Sequence, residues 1–203
     1  WSSDVCSSDL LSRCDGTAAT IEDFIACFEE VSGHSLAAFS KWYQQAGTPH
    51  VTITEKFDAP SGTWSIAFSQ TIAPTPGQPN KDPAVIPIAL GFLDASGQEL
   101  TLSPTEGQCD QNIFILSEKE GQLRFDGLQQ KPILSALRGF SAPVVLHHHS
   151  DETENLIRLA HDSDSFNRWQ AAQSLRPCRP PDPRPPAGSV PRGRAPGASP
   201  PGS

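Results

Sequence analysis

The 203-residue chain has no long hydrophobic run, no recognisable leader and no paired-cysteine motif. No segment approaches the roughly 18 consecutive apolar residues that a transmembrane helix needs, so we predict no membrane span. The first residues lack a basic stretch followed by an apolar core, so we expect no secretory signal. An odd number of cysteines without a CxxC pair favours reduced thiols and a cytoplasmic location over a disulfide framework or zinc ribbon. The cysteines are Cys6, Cys14, Cys27, Cys109 and Cys178.

Charge and proline are unevenly distributed along the chain. Residues 176–203 carry five Arg, one Asp and ten of the 20 prolines, whereas the total net charge is −8. The preceding residues are therefore strongly acidic, which argues against a nucleic-acid-binding surface. The proline-rich segment has no apolar periodicity and is predicted to be a disordered tail.

Apolar residues at helical spacing predict a helical hairpin near the start of the chain. Thr20 can cap the first helix, with Asp23 as a loose capping box, and Gly33 can end it. A second, shorter helix is predicted over 36–46, where Gly47 supplies a left-handed cap and Pro49 forbids continuation. The apolar face of the first helix consists of Ile21, Phe24, Ile25, Phe28 and Val31.

Alternating apolar and polar residues predict a series of short strands after this hairpin. Turn residues such as those at 58–62 and 94–97 separate the strands, and 73–83 is a polar loop with four prolines. Six to eight strands over about 100 residues predict an immunoglobulin-like antiparallel β-sandwich. The predicted strands include Val51–Ile53, Trp64–Phe68, Ile86–Phe92, Glu99–Leu102, Asn112–Leu116, Gln122–Phe125 and Val144–His148.

Helical periodicity returns at the end of the chain. Ser150 or Asp151 is predicted to cap one helix, and Asp162 or Ser163 a second one. The fold class is thus mainly β with flanking α, a sandwich between two helical hairpins. Neither hairpin is large enough to bury its apolar face alone.

Histidines at 147–149 are the clearest candidate for a metal site. In a strand, His147 and His149 share a face, and Asp151 or Glu152 could complete a surface site. A strand end with solvated or packed rings is the interpretation that we favour.

Two further groups suggest chemistry only superficially. His161 and Asp162 with Ser163 or Ser165 contain the residue types of a hydrolytic triad. Residues this close on one helix cannot form a line of nucleophile, base and orienting group, so helix capping is favoured. Glu29–Glu30 is interpreted as a solvated helix face.

The cysteines of the central region show no sign of activation. Cys27 is predicted to be a small buried residue beside the apolar helix face. Cys109 neighbours Asp110, whose charge does not activate a thiol. The loop at 73–83 lacks a phosphate-cradling pattern.

Three sets of residues carry a family resemblance. They are DGTAATIEDF at 15–24 leading to WYQQAGTP at 42–49, then PTPGQPNK at 74–81, and LRGFSAPV at 137–144 followed by NRWQAAQ at 167–173. In order and spacing they closely resemble the bacterial aminopeptidase N family of M1 zinc metallopeptidases. The resemblance covers about residues 12–175 and includes loop positions as well as core positions.

The resemblance implies that this chain is an internal fragment of such an enzyme. Residues 12–47 would be the last helices of the catalytic domain, 48–149 an Ig-like sandwich domain, and 150–175 the first helices of a C-terminal helical domain. The parent would bind zinc and peptide substrates, and this fragment would pack against the missing domains. It would have no nucleic-acid or membrane partner.

The zinc chemistry of that family needs residues that this sequence lacks. HExxH on a helix supplies two His ligands and a Glu general base, and no HExxH occurs here. We therefore assign this chain no catalytic, cofactor-binding or metal-ligand residue, and no cofactor of its own.

Both ends of the sequence suggest non-native coding. The letters DVCSSDL at 4–10 are the translation of a common short-read sequencing adapter, so residues 1–11 are predicted to be adapter-derived and disordered. A one-base shift in codons for 176–184 would encode an apolar run that continues the last helix. We hypothesise a frameshift at or near Leu175, with a genuine disordered linker as the alternative.

Three functional hypotheses follow. The leading one is an interdomain scaffold from a zinc aminopeptidase, inactive alone. The alternative is a free-standing β-sandwich that binds protein or glycan, against which the expected burial of Trp64 and Phe68 counts. The third is the histidine metal site.

Overall fold

The computed structural model describes residues 11–16 and 18–175. The predictions for 1–10 and 176–203 lie outside these residues. In chain order, the elements are α1 (Ile21–Ser32), α2 (Lys41–Gln44), β1 (Pro49–Asp58), β2 (Thr63–Ile72), β3 (Ile86–Leu93), β4 (Glu99–Leu100), β5 (Cys109–Asp110), β6 (Ile113–Leu116), β7 (Glu120–Phe125), β8 (Ile133–Ala136), a 3-10 turn (Arg138–Phe140), β9 (Val145–His148), α3 (Glu152–His161) and α4 (Ser165–Ser174).

Capping side chains set the limits of α1 as predicted. The Thr20 hydroxyl accepts a hydrogen bond from the Asp23 N–H, and the Asp23 carboxylate accepts one from the Thr20 N–H. Gly33 ends the helix with φ of 66°, a conformation that glycine adopts without a Cβ penalty.

The second helix is shorter than the sequence predicts. Only Lys41–Gln44 is α-helical, and turns occupy the residues before it. Ser35 Oγ accepts from the Ala37 N–H, and Ser40 Oγ donates to the Ala37 carbonyl at 2.6 Å. These serine side chains compete with helical hydrogen bonding, which explains the late start.

The first sheet has the strand order β7-β2-β1-β9. Strands β1 and β2 form a long antiparallel hairpin whose register runs from Pro49 opposite Ile72 to Asp58 opposite Thr63. The β1–β9 pair is parallel. The prediction of a purely antiparallel sandwich is therefore wrong for this sheet. Parallel pairing follows because β9 returns after a long connection through the other sheet.

The second sheet has the order β4-β3-β6-β5, and β8 also pairs with β3. The sequence patterns missed β8, because all four of its residues are buried and show no alternation. The predicted strand Glu99–Leu102 is too long, since pairing with β3 stops at Leu100.

The core lies between the two sheets and confirms the predicted sandwich. Phe68 stacks on Phe114 of the other sheet with ring centroids 4.5 Å apart. Trp64 contacts Phe92 edge-on at 5.8 Å. The largest fully buried side chains are Trp64, Phe68, Phe92, Phe125, Ile66, Ile86, Ile88, Leu93, Leu116, Leu123, Leu134 and Val51.

Helices α3 and α4 form the second hairpin. Asp151 caps α3 in a capping box with Glu154, one of the two caps predicted. For α4 the predicted caps Asp162 and Ser163 are wrong, because Asp164 accepts from the Asn167 N–H at 2.8 Å. No helix in the described part of the chain has the length and apolar character needed to cross a membrane.

Candidate functional site

The three consecutive histidines at the end of β9 have different surroundings. His147 Nε2 lies 2.9 Å from His50 Nδ1 on β1, whereas His148 Nε2 lies 2.7 Å from Oε1 of Glu55. His149 is exposed just beyond the strand. Across residues 11–16 and 18–175, no group of three or more His, Cys, Asp or Glu side chains could hold a metal ion.

Glu55 is the centre of a buried polar cluster that joins the sandwich to α3. Its side chain is 6% exposed and also accepts from the Trp64 indole N–H at 3.0 Å. Lys131 Nζ lies 3.4 Å from Glu55 and 2.6 Å from Glu154 of α3. Burial raises the pKa of Glu55, but the hydrogen bond from His148 and the charge of Lys131 outweigh it. The pKa of Glu55 therefore lies below its ordinary value.

Arg138 is the centre of a second polar cluster, between the sandwich and the α3–α4 turn. Its Nε–H donates to Ser135 Oγ at 3.0 Å, and its Nη atoms lie 3.0 and 2.8 Å from the two Glu99 oxygens. Nη2 also lies 2.9 Å from Oδ1 of Asp162 without hydrogen-bond geometry, so this contact is ionic. The Asp162 side chain is fully buried. The guanidinium lies over Gly91 in β3, where a Cβ would fall 1.8 Å from Arg138 Cζ.

The sequence analysis missed both clusters. Glu55 lies in an alternating strand and has no local feature that marks it as buried. For Arg138 a signal existed: Gly91 interrupts an apolar strand, and an isolated glycine in a strand often marks a close approach. Leu137 and Phe140, on either side of the arginine turn, adopt φ of 58° and 55°, which is uncommon for residues with a side chain.

The triad suggested by His161 and its neighbours does not form. Asp162 faces Arg138 rather than His161, and Ser163 Oγ donates to Glu99 at 2.9 Å. Burial raises the pKa of Glu99, but hydrogen bonds from Arg138 and Ser163 bring it below its ordinary value. The residues organise the turn between α3 and α4.

The cysteine interpretations agree with the structure. Cys27 is 2% exposed in α1, as predicted for a small buried residue. Burial and, next, the charge of Asp110 raise the pKa of the Cys109 thiol. A raised pKa leaves little thiolate at neutral pH, so Cys109 is not an activated nucleophile.

Glu29 and Glu30 do not act as a carboxylate pair. Glu29 accepts hydrogen bonds from Ser35 Oγ and the Leu36 N–H, while Glu30 forms an ion pair with Arg13. Each carboxylate thus stabilises the local fold of the first helical segment.

Exposed apolar side chains accumulate on both helical segments. On the first segment Phe24 is 40% and Tyr43 49% exposed. Near α4, Phe140 of the 3-10 turn is 63% exposed and Trp169 is 56% exposed. The Phe166 ring lies tilted against Phe140 at a centroid distance of 4.4 Å and stacks on Trp169 at 5.5 Å. Trp64 and Phe68 are buried, so they form no aromatic platform on the sandwich.

Comparisons with known proteins give one consistent result. A family model described as a domain of unknown function (DUF3458) with an Ig-like fold matches residues 47–149. Aminopeptidase N of Caulobacter vibrioides is 45% identical over 163 residues, which are 80% of this chain and 18% of that protein. Aminopeptidase N of Escherichia coli is 33% identical over 163 residues, 80% of this chain and 19% of that protein.

A solved structure shows the same similarity. The crystal structure of Legionella pneumophila aminopeptidase A in complex with aspartic acid matches with a TM-score of 0.69 and 28% identity. The match covers 84% of this chain and 18% of that one. The chain spans about a fifth of the length of the curated relatives that it matches.

Proposed function

We propose, since this chain belongs to the family of Ig-like domains described as DUF3458, that it is the scaffold segment of a zinc-dependent aminopeptidase. In the complete enzyme, which removes N-terminal residues from peptides, the sandwich separates the catalytic domain from a helical domain. The segment alone is inactive. The observation that carries this proposal is similarity to aminopeptidase N over 80% of this chain but only about a fifth of the enzyme.

Uncovered apolar surface supports the scaffold role. Phe24 and Tyr43 on the first helical segment, Phe140 in the 3-10 turn and Trp169 on α4 are all at least 40% exposed. Large exposed aromatic side chains in clusters are typical of surfaces that another protein surface covers. We propose that the catalytic and helical domains of the complete enzyme cover these surfaces.

The residues present do not fit a zinc site of the aminopeptidase kind. The sequence has no HExxH, and the described residues offer no group of three metal-binding side chains. When bound in the complete enzyme, the zinc ion would polarise the scissile carbonyl and activate water. We assign that chemistry to parts of the enzyme outside this chain. The cytoplasmic location stays a prediction from cysteine usage.

An activity assay tests the inactivity of the segment. The full chain, purified from a host that lacks its own aminopeptidase N, is incubated with aminoacyl arylamides and excess Zn²⁺. We expect no release of arylamine above that of a mock purification from the same host. Turnover that co-purifies with the chain would refute the proposal.

A chimera tests the scaffold role. Residues 12–175 of this chain replace the matching segment of Caulobacter vibrioides aminopeptidase N. We expect the chimera to hydrolyse arylamides, and Trp169→Glu to lower its activity because a charge enters the covered surface. Gln122→Glu, which adds the same charge at an exposed position of β7, is the matched control. Equal activity of both variants would contradict an interdomain role for the Trp169 surface.

A further inference from the structure

The polar loop after β2 binds back onto the junction between α2 and β1. Lys81 Nζ donates to the Ala46 carbonyl at 2.9 Å, to Thr75 Oγ1 at 2.7 Å and to Gln78 Oε1 at 2.6 Å. An ammonium group has three donors, so Lys81 uses all of them on this junction and its own loop.

Two glutamines, one in the loop and one in the junction, add further hydrogen bonds between these segments. Gln78 Oε1 accepts from the Ala46 N–H at 2.9 Å, and its Nε2 donates to the Gln44 carbonyl at 2.9 Å. Gln45 mirrors this arrangement, because its side chain accepts from the Asp82 N–H at 2.7 Å and donates to the Asp82 carbonyl at 3.2 Å. Each side chain thus pairs with a backbone much as a strand would.

The junction also needs a glycine. Gly47 adopts φ of 107°, and a Cβ there would lie 3.3 Å from Ile72 Cγ2 at the end of β2. Trp42 donates its indole N–H to the Val85 carbonyl at 2.8 Å and packs against the core. Apart from Trp42, the first helical segment makes no extensive contact with the strands in the described part of the chain.

We propose that these contacts form a clasp that positions the first helical segment on the sandwich. The junction clasp consists of Gln44–Gly47 together with Thr75, Gln78, Lys81 and Asp82. It explains why two distant stretches, WYQQAGTP and PTPGQPNK, both carry the family resemblance: they are the two halves of one contact. If the proposed scaffold function holds, the clasp sets the angle at which the catalytic domain leaves the sandwich.

Hydrogen exchange on the full 203-residue chain tests the clasp. Lys81→Met keeps the aliphatic stem but removes all three donors, and Lys56→Met at an exposed position of β1 is the matched control. We expect the Ala46 and Asp82 amides to exchange about tenfold faster or more in K81M. Lys81 holds Gln78 Oε1, the acceptor of the Ala46 N–H, and it precedes Asp82 in the loop. Hydrogen bonds from a charged group are among the stronger ones. Sandwich amides such as that of Ile66 should keep their rates, and K56M should match the wild type.

Gln78→Ala provides a second, independent variant. It removes the partners of the Ala46 N–H and the Gln44 carbonyl and should accelerate exchange of the Ala46 amide. Unchanged exchange at Ala46 and Asp82 in both variants would overturn the proposal. Uniformly faster exchange across the chain in both would also overturn it, because these contacts would then stabilise the whole fold. An inactive chimera would contradict the scaffold function but would leave these exchange rates unaffected.

Discussion

A methyl group at Gly91 should destabilise the protein by acting on Arg138. The ideal Cβ of alanine at this position lies 1.8 Å from Cζ and 2.1 Å from Nη1 of Arg138. Such an approach is impossible, so either the strand or the guanidinium must move. A flexible side chain usually moves easily, but this guanidinium lies beside the fully buried carboxylate of Asp162.

The magnitude follows from the carboxylate that is left behind. Removing one partner of a buried ion pair costs about 3–5 kcal/mol, because the other charge stays buried. The lower end applies here, since the Asp164 N–H still donates to Asp162 Oδ1 at 3.0 Å. The Glu99 contact adds little, since that side chain is 46% exposed and exposed pairs contribute about 0–1 kcal/mol. We therefore expect Gly91→Ala and Arg138→Ala each to lower the free energy of unfolding by about 3 kcal/mol.

A double-mutant cycle distinguishes this mechanism from ordinary strain. If Gly91→Ala acts only by displacing the guanidinium, the double variant should be no less stable than Arg138→Ala alone. The coupling would then be about 3 kcal/mol, near the upper end for contacting residues. Urea unfolding followed by tryptophan fluorescence at pH 7 measures all four proteins.

The control is Arg124→Ala, which removes an arginine from two carboxylates at the surface. Its side chain is 39% exposed, so we expect a loss below about 1 kcal/mol. Additive losses in the Gly91 and Arg138 cycle, summing to about 6 kcal/mol by the estimate from the buried pair, would refute the reasoning. A Gly91→Ala protein as stable as the wild type would refute it as well.

Two further substitutions test the buried polar groups. The folded pKa of Glu55 is below its ordinary value of 4.5. Its contribution to the free energy of unfolding is therefore fully present above that pH and is lost as pH falls through the lower folded pKa. Glu55→Gln should flatten the decline of unfolding free energy below about pH 4.5, and an unchanged pH dependence in urea unfolding would contradict this. Gln70 is 4% exposed, and its side-chain amide forms hydrogen bonds of 2.9 Å with both the N–H and the carbonyl of Ala84. Gln70→Leu should therefore lower the free energy of unfolding by about 2–4 kcal/mol, because it leaves buried groups unpaired. Gln122→Leu at an exposed position should lower it by less than about 0.5 kcal/mol in the same measurement. Equal losses for the two glutamines would show that the Gln70 amide is not needed.

Local patterns predicted the elements whose cause is local. Thr20, Gly33 and Asp151 cap helices through side chains or backbone conformations that are local. Thr20 and Gly33 were predicted outright, and Asp151 was one of two predicted caps. The prediction failed where distant residues compete for a group. Asp162 resembles a helix cap in sequence, but its carboxylate forms an ion pair with Arg138. Asp164 caps α4 instead.

The sandwich itself was predictable in outline but not in its pairing. Alternation marks a half-buried strand such as β2, whereas β8 is buried on both faces and shows no alternation. The parallel pairing of β9 with β1 depends on the path of the chain through the second sheet. The same path brings Glu55 and His148, 93 positions apart, within 2.7 Å.

By itself the sequence determined the sandwich class, the caps of α1, the absence of a zinc-binding HExxH, and the family resemblance. These depend on residue order over short distances, which the sequence states directly. Only the tertiary structure decided what the resembling stretches do together. Lys81 and Gln78 contact Ala46 across more than thirty positions. Arg138 in the 3-10 turn contacts Asp162 at the end of α3, and no sequence pattern links the two residues. Such contacts depend on how strands pair and sheets pack, because a side chain meets a distant partner only where the folded backbone brings the two together.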